Sequence, residues 1–588
     1  MQKKEAVMTN IMEKDIELEQ IPSKTEAQSE FAIAITPNIE TVPKPPSPNV
    51  DTVKVPLSRT EFILVYIGLL LAILLFGLDQ TIVATALRAI VDDLGQQELI
   101  SWIGSAFLLT AAPLSTLYGK FADIFGRKWV FVSAIFIFEL GSFICGISNS
   151  MTMLIIGRAV AGIGGGGIFS LVLIIISDIV SLRDRGTYTG IIGASTGLSS
   201  VIGPLIGGAL SDHGLWRWCF YINLPLGAIT LATVIVFLKF PPVEGSIREK
   251  INRIDFIGAA LLLAAIVCFL TPLQLGGSSW NWNSGQTIGM FVGSAVLFAL
   301  FVYIELKVAN DPIVSARIFV NPSVPLLLII SLVLGAGFLA GIYYISLFFQ
   351  VVYGDSATNG GVAIIPAVFG LVVLSVVSGI IASKTGKYVQ FLRFGPIIMA
   401  VGIVLISLFD GSTSIVVRII SLFVFGLGVG ALIQINTLAL QCSVPHELIA
   451  IATGVTQTCN TLGRAIGIAI TGTIANNIIV SDQAGDTDLQ YFISKFIDSG
   501  ISVDPTNTLS ILALLENSAA YYPNNTAAAA IYNSTLAKAT DELINGFTDS
   551  FKISYLSLLP YPIVIFILSW FVHQFEMGAK SAEVVIGE

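Results

Sequence analysis

The stretch Gly119-Lys120-Phe121-Ala122-Asp123-Ile124-Phe125-Gly126-Arg127-Lys128 sets two glycines, one carboxylate and three cations between two long apolar runs. It reads as a tight hydrophilic turn joining two membrane-spanning helices, its cations facing the cytosol as the positive-inside tendency requires. That reading needs lipid on both flanks, and the composition agrees. Of 588 residues, 54% are hydrophobic and 12% charged, with a mean hydropathy of +0.84, against about 25% charged in soluble domains. The excess of acid behind the net charge of -9 lies in two hydrophilic segments, so the charge points to no basic partner, and nucleic-acid binding is not indicated.

Working outward, runs of about 20 apolar residues are long enough to cross roughly 30 Å of hydrocarbon. Fourteen occur, near 62–87, 100–119, 129–148, 152–177, 187–210, 218–239, 255–275, 285–306, 324–350, 358–382, 391–409, 415–441, 451–479 and 554–575. The expected fold is an all-α polytopic membrane protein with both termini on one side. Nearly all loop cations fall on one face, at Lys120/Arg127/Lys128, Arg183/Arg185, Lys239/Arg248/Lys250/Arg253, Lys307/Arg317 and Lys384/Lys387/Arg393, which makes that face cytosolic. Trp280 and Trp282 suit the opposite interface.

Two segments stay outside the bilayer. Residues 1–58 are polar and end in a proline-rich stretch, the pattern of a disordered cytosolic tail. The segment near 480–553 is acidic and carries both N-x-Ser/Thr sequons, at Asn524 and Asn533, which fits an extracytosolic, glycosylated loop. The five cysteines are scattered among apolar runs, away from the three histidines, so neither a disulfide framework nor a metal site is expected.

Gly379-Ile-Ile-Ala-Ser383-Lys384-Thr-Gly386-Lys387 follows the tenth run much as the opening stretch follows the second, with Ser383 in place of the acid. Two homologous halves would explain this. The expected domains are 59–254, an inserted helix pair at 255–321, and 322–588.

Four ionisable residues sit inside apolar runs, where each is costly unless paired or hydrated: Asp79, Glu139, Arg158 and Arg464. Asp79 lies roughly 12 Å and Arg158 roughly 9 Å from the outer ends of their helices, so the two share a depth. Arg464 shares a helix face with Gln457 and Thr461, beside Asn460. Gln350, Gln434, Asn436 and Tyr344 are further polar candidates for a substrate cavity. Gly193, Gly197, Ser200, Pro204 and Gly207 recur at steps of three or four, a nearly bare stripe that another helix can approach closely. Gly162, Gly164 and Gly167 satisfy G-x-G-x-x-G, but no strand precedes them and they lie in a lipid-length run, so they point to helix packing and not to a nucleotide.

Residues 119–128 resemble the loop signature of the major facilitator superfamily, and Gly190…Ser199…Gly203-Pro204-Leu-Ile-Gly207-Gly208 resembles its antiporter signature. Leu78-Asp79-Gln-Thr81…Ala86-Leu87 and Arg158-Ala-Val-Ala-Gly162-Ile-Gly164 resemble further family motifs. With fourteen runs, the chain is most similar to the fungal fourteen-helix drug:proton antiporters, over about 60–575. Ile124 stands where many members carry Arg, and Ser199 replaces a glycine.

The resemblance implies a 6+2+6 helix arrangement and a proton-coupled carrier, not an enzyme, that exports drugs, toxins or other small organic molecules by alternating access. It would work as a monomer in the plasma membrane without a cofactor. Alternatives are a vacuolar exchanger of basic amino acids for protons and a transporter-like receptor. The resemblance places the first and fourth helices at the central cavity, where Asp79 and Arg158 could meet; a buried carboxylate beside a guanidinium then makes Asp79 the expected proton-coupling residue, tuned by Arg158, with a static ion pair as the alternative and Glu139 a weaker candidate. Gly119, Asp123, Gly126, Arg127 and Lys128, with Asp178 as partner, would form a cytosolic latch. Asp123 is expected at the start of the third helix, where the helix dipole favours an acid.

Overall fold

The computed structural model describes residues 58–575 except 97–98, 242, 277–279, 310, 356 and 484–543. The expectations for the N-terminal tail and for Asn524 and Asn533 lie outside the described residues. Every apolar run is helical: α1 Arg59–Leu94, α2 Ile100–Phe125, α3 Arg127–Gly146, α4 Met151–Ile179, α5 Arg185–Asp212, α6 Asn223–Phe237, α7 Phe256–Leu275, α8 Gly285–Lys307, α9 Ser323–Val352, α10 Ile365–Thr385, α11 Val389–Ser407, α12 Ile415–Ser443, α13 Ile449–Gln483 and α14 Pro560–Ser569. Among the described residues, twelve helical spans are long and apolar enough to cross a membrane. Local signals set the helix starts. Ser58 and Glu61 form a reciprocal capping box at α1, while Ser150 and Ser414 cap α4 and α12.

The helix contacts repeat. Pairings α1·α5, α1·α6, α2·α4, α3·α4 and α3·α6 recur as α9·α13, α9·α14, α10·α12, α11·α12 and α11·α14. Crossings α2·α13 and α5·α10 connect one set of six to the other. Each set has its own apolar core, one around Leu69, Phe131 and Ile174, the other around Phe348, Met399 and Tyr555. The pair α7–α8 leans on α2 and α13 through Leu262, Ile266, Leu270 and Phe301. Of the spans, α4 is the most enclosed and α8 the least, its Phe298, Tyr303 and Leu306 lying exposed on the outer surface.

The 119–128 stretch departs from its expected form. Helix α2 runs on to Phe125 and α3 begins at Arg127, so the turn is the single residue Gly126. Gly119 is a crossing residue: a Cβ there would lie 2.6 Å from the Ala450 carbonyl oxygen on α13. Asp123 therefore sits in the last turn of α2, not at the start of α3. The carboxylate faces the negative end of the helix dipole, so it needs a cation close by.

Gly126 adopts φ 94°, ψ 140°, a region essentially closed to residues with a Cβ. Space is not the obstacle, since a Cβ would meet only Val243 Cγ2 at 3.5 Å. Gly126→Ala should thus cost about 1–3 kcal/mol through backbone strain alone. The expected result is a lower Tm in detergent; an unchanged Tm would mean the turn relaxes freely.

Candidate functional site

Asp79 on α1 and Arg158 on α4 meet inside the first set of helices, Arg158 Nη1 donating to Asp79 Oδ2 at 2.6 Å. Asp79 is 0% exposed and Arg158 2%. Such a pair is tolerated in lipid only with further partners, and it has them. Arg158 Nε donates to the Ile103 carbonyl at 3.1 Å, and its guanidinium lies 4.6 Å from the Phe107 ring centroid. The second Asp79 oxygen accepts from Asn223 Nδ2 at 3.4 Å, and the same amide reaches Ser142 Oγ at 3.2 Å.

Glu139, one helical turn before Ser142, is 8% exposed, and neither of its buried oxygens has a hydrogen-bond partner. Its carboxyl lies against the backbone of Gly227 on α6, where any Cβ would collide with it. A buried, unpaired carboxyl is far cheaper neutral than charged. Asn223 and Ser142 were not legible as site residues, because neutral polar side chains in apolar runs are ordinary helix glue.

The second cluster lies where α2, α3, α4 and α13 begin or end. Arg127 bridges Asp123 at 2.7 Å and Asp178 at 3.0 Å, and also donates to the Ala122 carbonyl at 3.2 Å. One guanidinium thus offsets the helix-end acid of α2 and ties α2 to α4. His446, just ahead of α13, brings Nε2 to 3.8 Å from Asp178. Burial holds the imidazole below its usual pKa despite the nearby Asp178 carboxylate, so at neutral pH the cation of this cluster is Arg127.

Lys128 turns away to the Ile235 carbonyl at 2.7 Å. Ile124 is fully buried. Lys120 pairs instead with Asp311, in the segment after α8, and Arg253 holds the other oxygen of that carboxylate at 3.0 Å. Burial works to raise the Asp311 carboxyl, but Lys120 and Arg253 hold it below the usual range.

The α5 stripe serves two neighbours, where a single approaching helix was expected. Gly186, Gly190, Gly193 and Gly197 face α10 and α12; a Cβ at Gly190 would lie 2.7 Å from the Ser375 carbonyl, and one at Gly193 2.8 Å from Gln434 Nε2. Gly203 and Gly207 face Thr81, Ile82 and Thr85 on α1, and Gly208 is buried. The step from Gly197 to Gly203 turns the helix by about 240° at 3.6 residues per turn, which moves the bare face from one partner to the other. Pro204 faces Gly361, in the helical turn before α10.

At the Arg127 end, Arg183 donates to the Ser383 and Lys384 carbonyls at 3.2 and 3.3 Å, and Ser383 Oγ accepts from Thr187 N at 3.0 Å. The hydroxyl that replaces an acid in the repeated motif therefore bonds one set of helices to the other.

The residues named for a substrate route divide. Asn436 donates to Ser331 Oγ at 2.5 Å and the Leu327 carbonyl at 3.2 Å, while Asn460 donates to the Ser331 carbonyl at 3.2 Å and accepts from Arg464 Nε at 3.0 Å. These three form one network over α9, α12 and α13, with Ser331 as the link the sequence did not single out. Gln457 lies half-buried one turn from Thr461, whose hydroxyl donates to the Gln457 carbonyl at 2.9 Å. Gln434 is buried at the α5 crossing, and Gln350 lies against Gly360 before α10. Neither joins the network. Tyr344 donates to the Ile468 carbonyl at 3.3 Å.

Residues 69–468 match the sequence profile of the Major Facilitator Superfamily. The chain is 40% identical over 417 residues to the MFS-type efflux pump MFS1 of Arthroderma benhamiae, covering 70% of this chain and 78% of the relative. It is 36% identical over 438 residues to the MFS-type transporter phomT of Diaporthe leptostromiformis, covering 74% of each. It is 34% identical over 433 residues to the efflux pump aflT of Aspergillus parasiticus, covering 73% and 84%. Among solved structures, the human organic anion transporter MFSD10 (TETRAN) superposes with a TM-score of 0.52 at 15% identity, covering 86% of this chain and 98% of that one, a likeness of fold alone. A repeated six-helix pattern, the Arg127 cluster and the two-faced glycine stripe thus stand beside extended sequence identity, and the chain belongs to the major facilitator superfamily, together with these fungal efflux pumps.

Proposed function

We propose that the protein exports small organic molecules in exchange for protons moving inward, with Asp79 as the proton-coupling group. The observation that carries this reading is the fully buried Asp79–Arg158 pair on α1 and α4. A proton on Asp79 removes the negative member of that pair. Arg158 keeps Ile103 and Phe107 as partners, so it stays solvated while α1 is freed to shift against α4. Deprotonation restores the attraction and draws the helices back. Asn223 can follow Asp79 in either state, because an amide both donates and accepts. Glu139, beside this network and unpaired, is a second place where a proton can reside.

The architecture proposed for this cycle has fourteen spans. Helices α2 and α13, at 26 and 35 residues, exceed the length that a bilayer requires. The units are 59–254, the inserted pair at 255–321, and 322–588, supported by the repeated pairings and the separate cores. The end bearing Arg127, Arg183 and Lys384 is taken as cytosolic, both termini lie there, and the plasma membrane is the site of action. Arg127 with Asp123, Asp178 and His446, and Arg183 with Ser383, then latch the cytosolic end closed. Gly186, Gly190 and Gly193 allow the close approach this needs.

The test uses purified protein in vesicles with its cytosolic face outward and the lumen made acidic. Proton efflux should drive an organic dye into the lumen, and a proton-conducting uncoupler should abolish that accumulation. Dye flux that ignores the imposed pH gradient would refute proton coupling.

A further inference from the structure

We infer that the substrates are organic anions, typically aromatic ones, and that Arg464 is the residue that binds their negative charge; this rests on the exporter reading above. Among the described residues, the cations deepest in the helical bundle are held by acids or carbonyls, although Arg185 keeps one unpartnered nitrogen, while the half-buried Arg393 and Arg418, near helix ends, rest on the Trp570 and Tyr353 rings. Arg158 has Asp79, Arg127 has Asp123 and Asp178, Lys120 has Asp311, and Arg185 donates to the Ser177 and Val180 carbonyls at the end of α4. Arg464 differs. Among the described residues no carboxylate lies within 4.0 Å of it, and its one hydrogen bond is from Nε to Asn460 Oδ1. Both terminal nitrogens are left open, although the residue sits about 22 Å along α13 from Ile449.

The helix geometry says which way that side chain faces. Residues 454, 458, 462 and 465 of α13 meet α2 and α7, while Asn460, Gly463 and Gly467 meet α9. Two flanks remain at 100° per residue. One holds Ile466 and Ile470, and Ile470 is exposed as a lipid-facing residue would be. The other holds Gln457, Thr461 and Arg464, a polar strip where lipid contact would be costly. Arg464 is half-buried there, and the cost of setting such a strip against hydrocarbon argues that its open side faces protein or water.

An open guanidinium in a low-dielectric site selects for anions, and its planar fork matches a carboxylate or phenolate. The Phe338 ring centroid lies 6.0 Å from the guanidinium, which provides an apolar face beside the charge for an aromatic body. Asn460, held on Ser331, engages Nε and leaves the two terminal nitrogens available to a ligand. Among the described residues, the network of Asn436, Ser331, Asn460 and Arg464 holds no acid to cancel that positive charge. The substrate supplies the missing negative charge.

The experiment compares two xanthene dyes of opposite charge, fluorescein as the anion and tetramethylrhodamine methyl ester as the cation, in the same acid-loaded vesicles. Wild-type protein should accumulate fluorescein at least tenfold over the ester. Arg464→Gln should lower the ratio of fluorescein to ester flux at least tenfold, and Arg464→Lys should keep the ratio within a few-fold of wild type while raising KM for fluorescein. Preference of the wild type for the cationic dye, or an unchanged ratio in Arg464→Gln, would overturn the assignment; the wild-type comparison decides even if the glutamine variant misfolds. Gradient-independent movement of both dyes would instead refute proton coupling, and dye selectivity retained without coupling would leave Arg464 assigned.

Discussion

Asp79→Asn is expected to abolish pH-driven substrate accumulation, lowering the initial rate by on the order of 100-fold, the scale on which loss of a proton-transferring side chain is felt. The side chain keeps nearly the same shape but cannot carry the proton or the charge. Two effects compete in this variant. Losing the ion pair strands the Arg158 cation in a buried site, which can cost about 3–5 kcal/mol. Against that, Arg158 keeps the Ile103 carbonyl and the Phe107 ring, and the substituted amide still offers a carbonyl oxygen to Asn223. The protein should therefore insert and fold with a reduced Tm. Exchange of labelled for unlabelled substrate at equal pH should survive, because that process needs no net proton movement. Driven accumulation at the wild-type rate in the folded variant would remove Asp79 from the coupling step.

The second large effect is expected at Gly379. A Cβ there would overlap the Gly186 carbonyl on α5, and the reverse substitution would place one 2.7 Å from the Gly379 oxygen. No side-chain rotation relieves a clash with backbone, so α5 and α10 must move apart. Gly379→Val should cut flux at least tenfold and lower Tm, with overpacking costing about 1–3 kcal/mol, and Gly379→Ala should fall between it and wild type. Gly289→Ala and Gly293→Ala on α8, where a Cβ meets nothing within 4 Å, should leave both readouts unchanged. Equal losses at every one of these positions would mean that the α5–α10 crossing does not govern the result, since Gly→Ala alone favours the helix.

These expectations rest on features of unequal legibility in the chain. The helices were plain because a lipid-crossing run must be both long and apolar. Asp79 and Arg158 were plain because charge is scarce in such runs, and their common depth followed from counting residues. The 119–128 stretch was only half legible. Gly119, Lys120 and Asp123 look like loop residues, yet they belong to a helix whose end is covered by α13, by the segment holding Asp311 and by Arg127. Composition separates polar from apolar, but it does not separate a side chain facing water from one facing a protein partner. The Lys120–Asp311 contact spans 191 positions, which no local pattern can reveal. Asn223, Ser142 and Ser331 were hidden for another reason: their importance comes from which charged residue they touch, and a neutral amide or hydroxyl carries no such label.

Ser199 shows how tightly one helix constrains another. Its hydroxyl bonds back to the Thr196 carbonyl at 2.7 Å and occupies the space that a Cβ on Gly77 would need. Thr81 then donates to the Ser199 carbonyl at 3.1 Å. Ser199 on α5 fills the space left bare at Gly77 on α1, so the two positions form one packing unit. A chimera that takes α5 from a relative with glycine in the signature would open a gap against Gly77, whereas one that takes α1 with a larger residue at 77 would jam. Moving either helix between relatives therefore requires exchanging the two together.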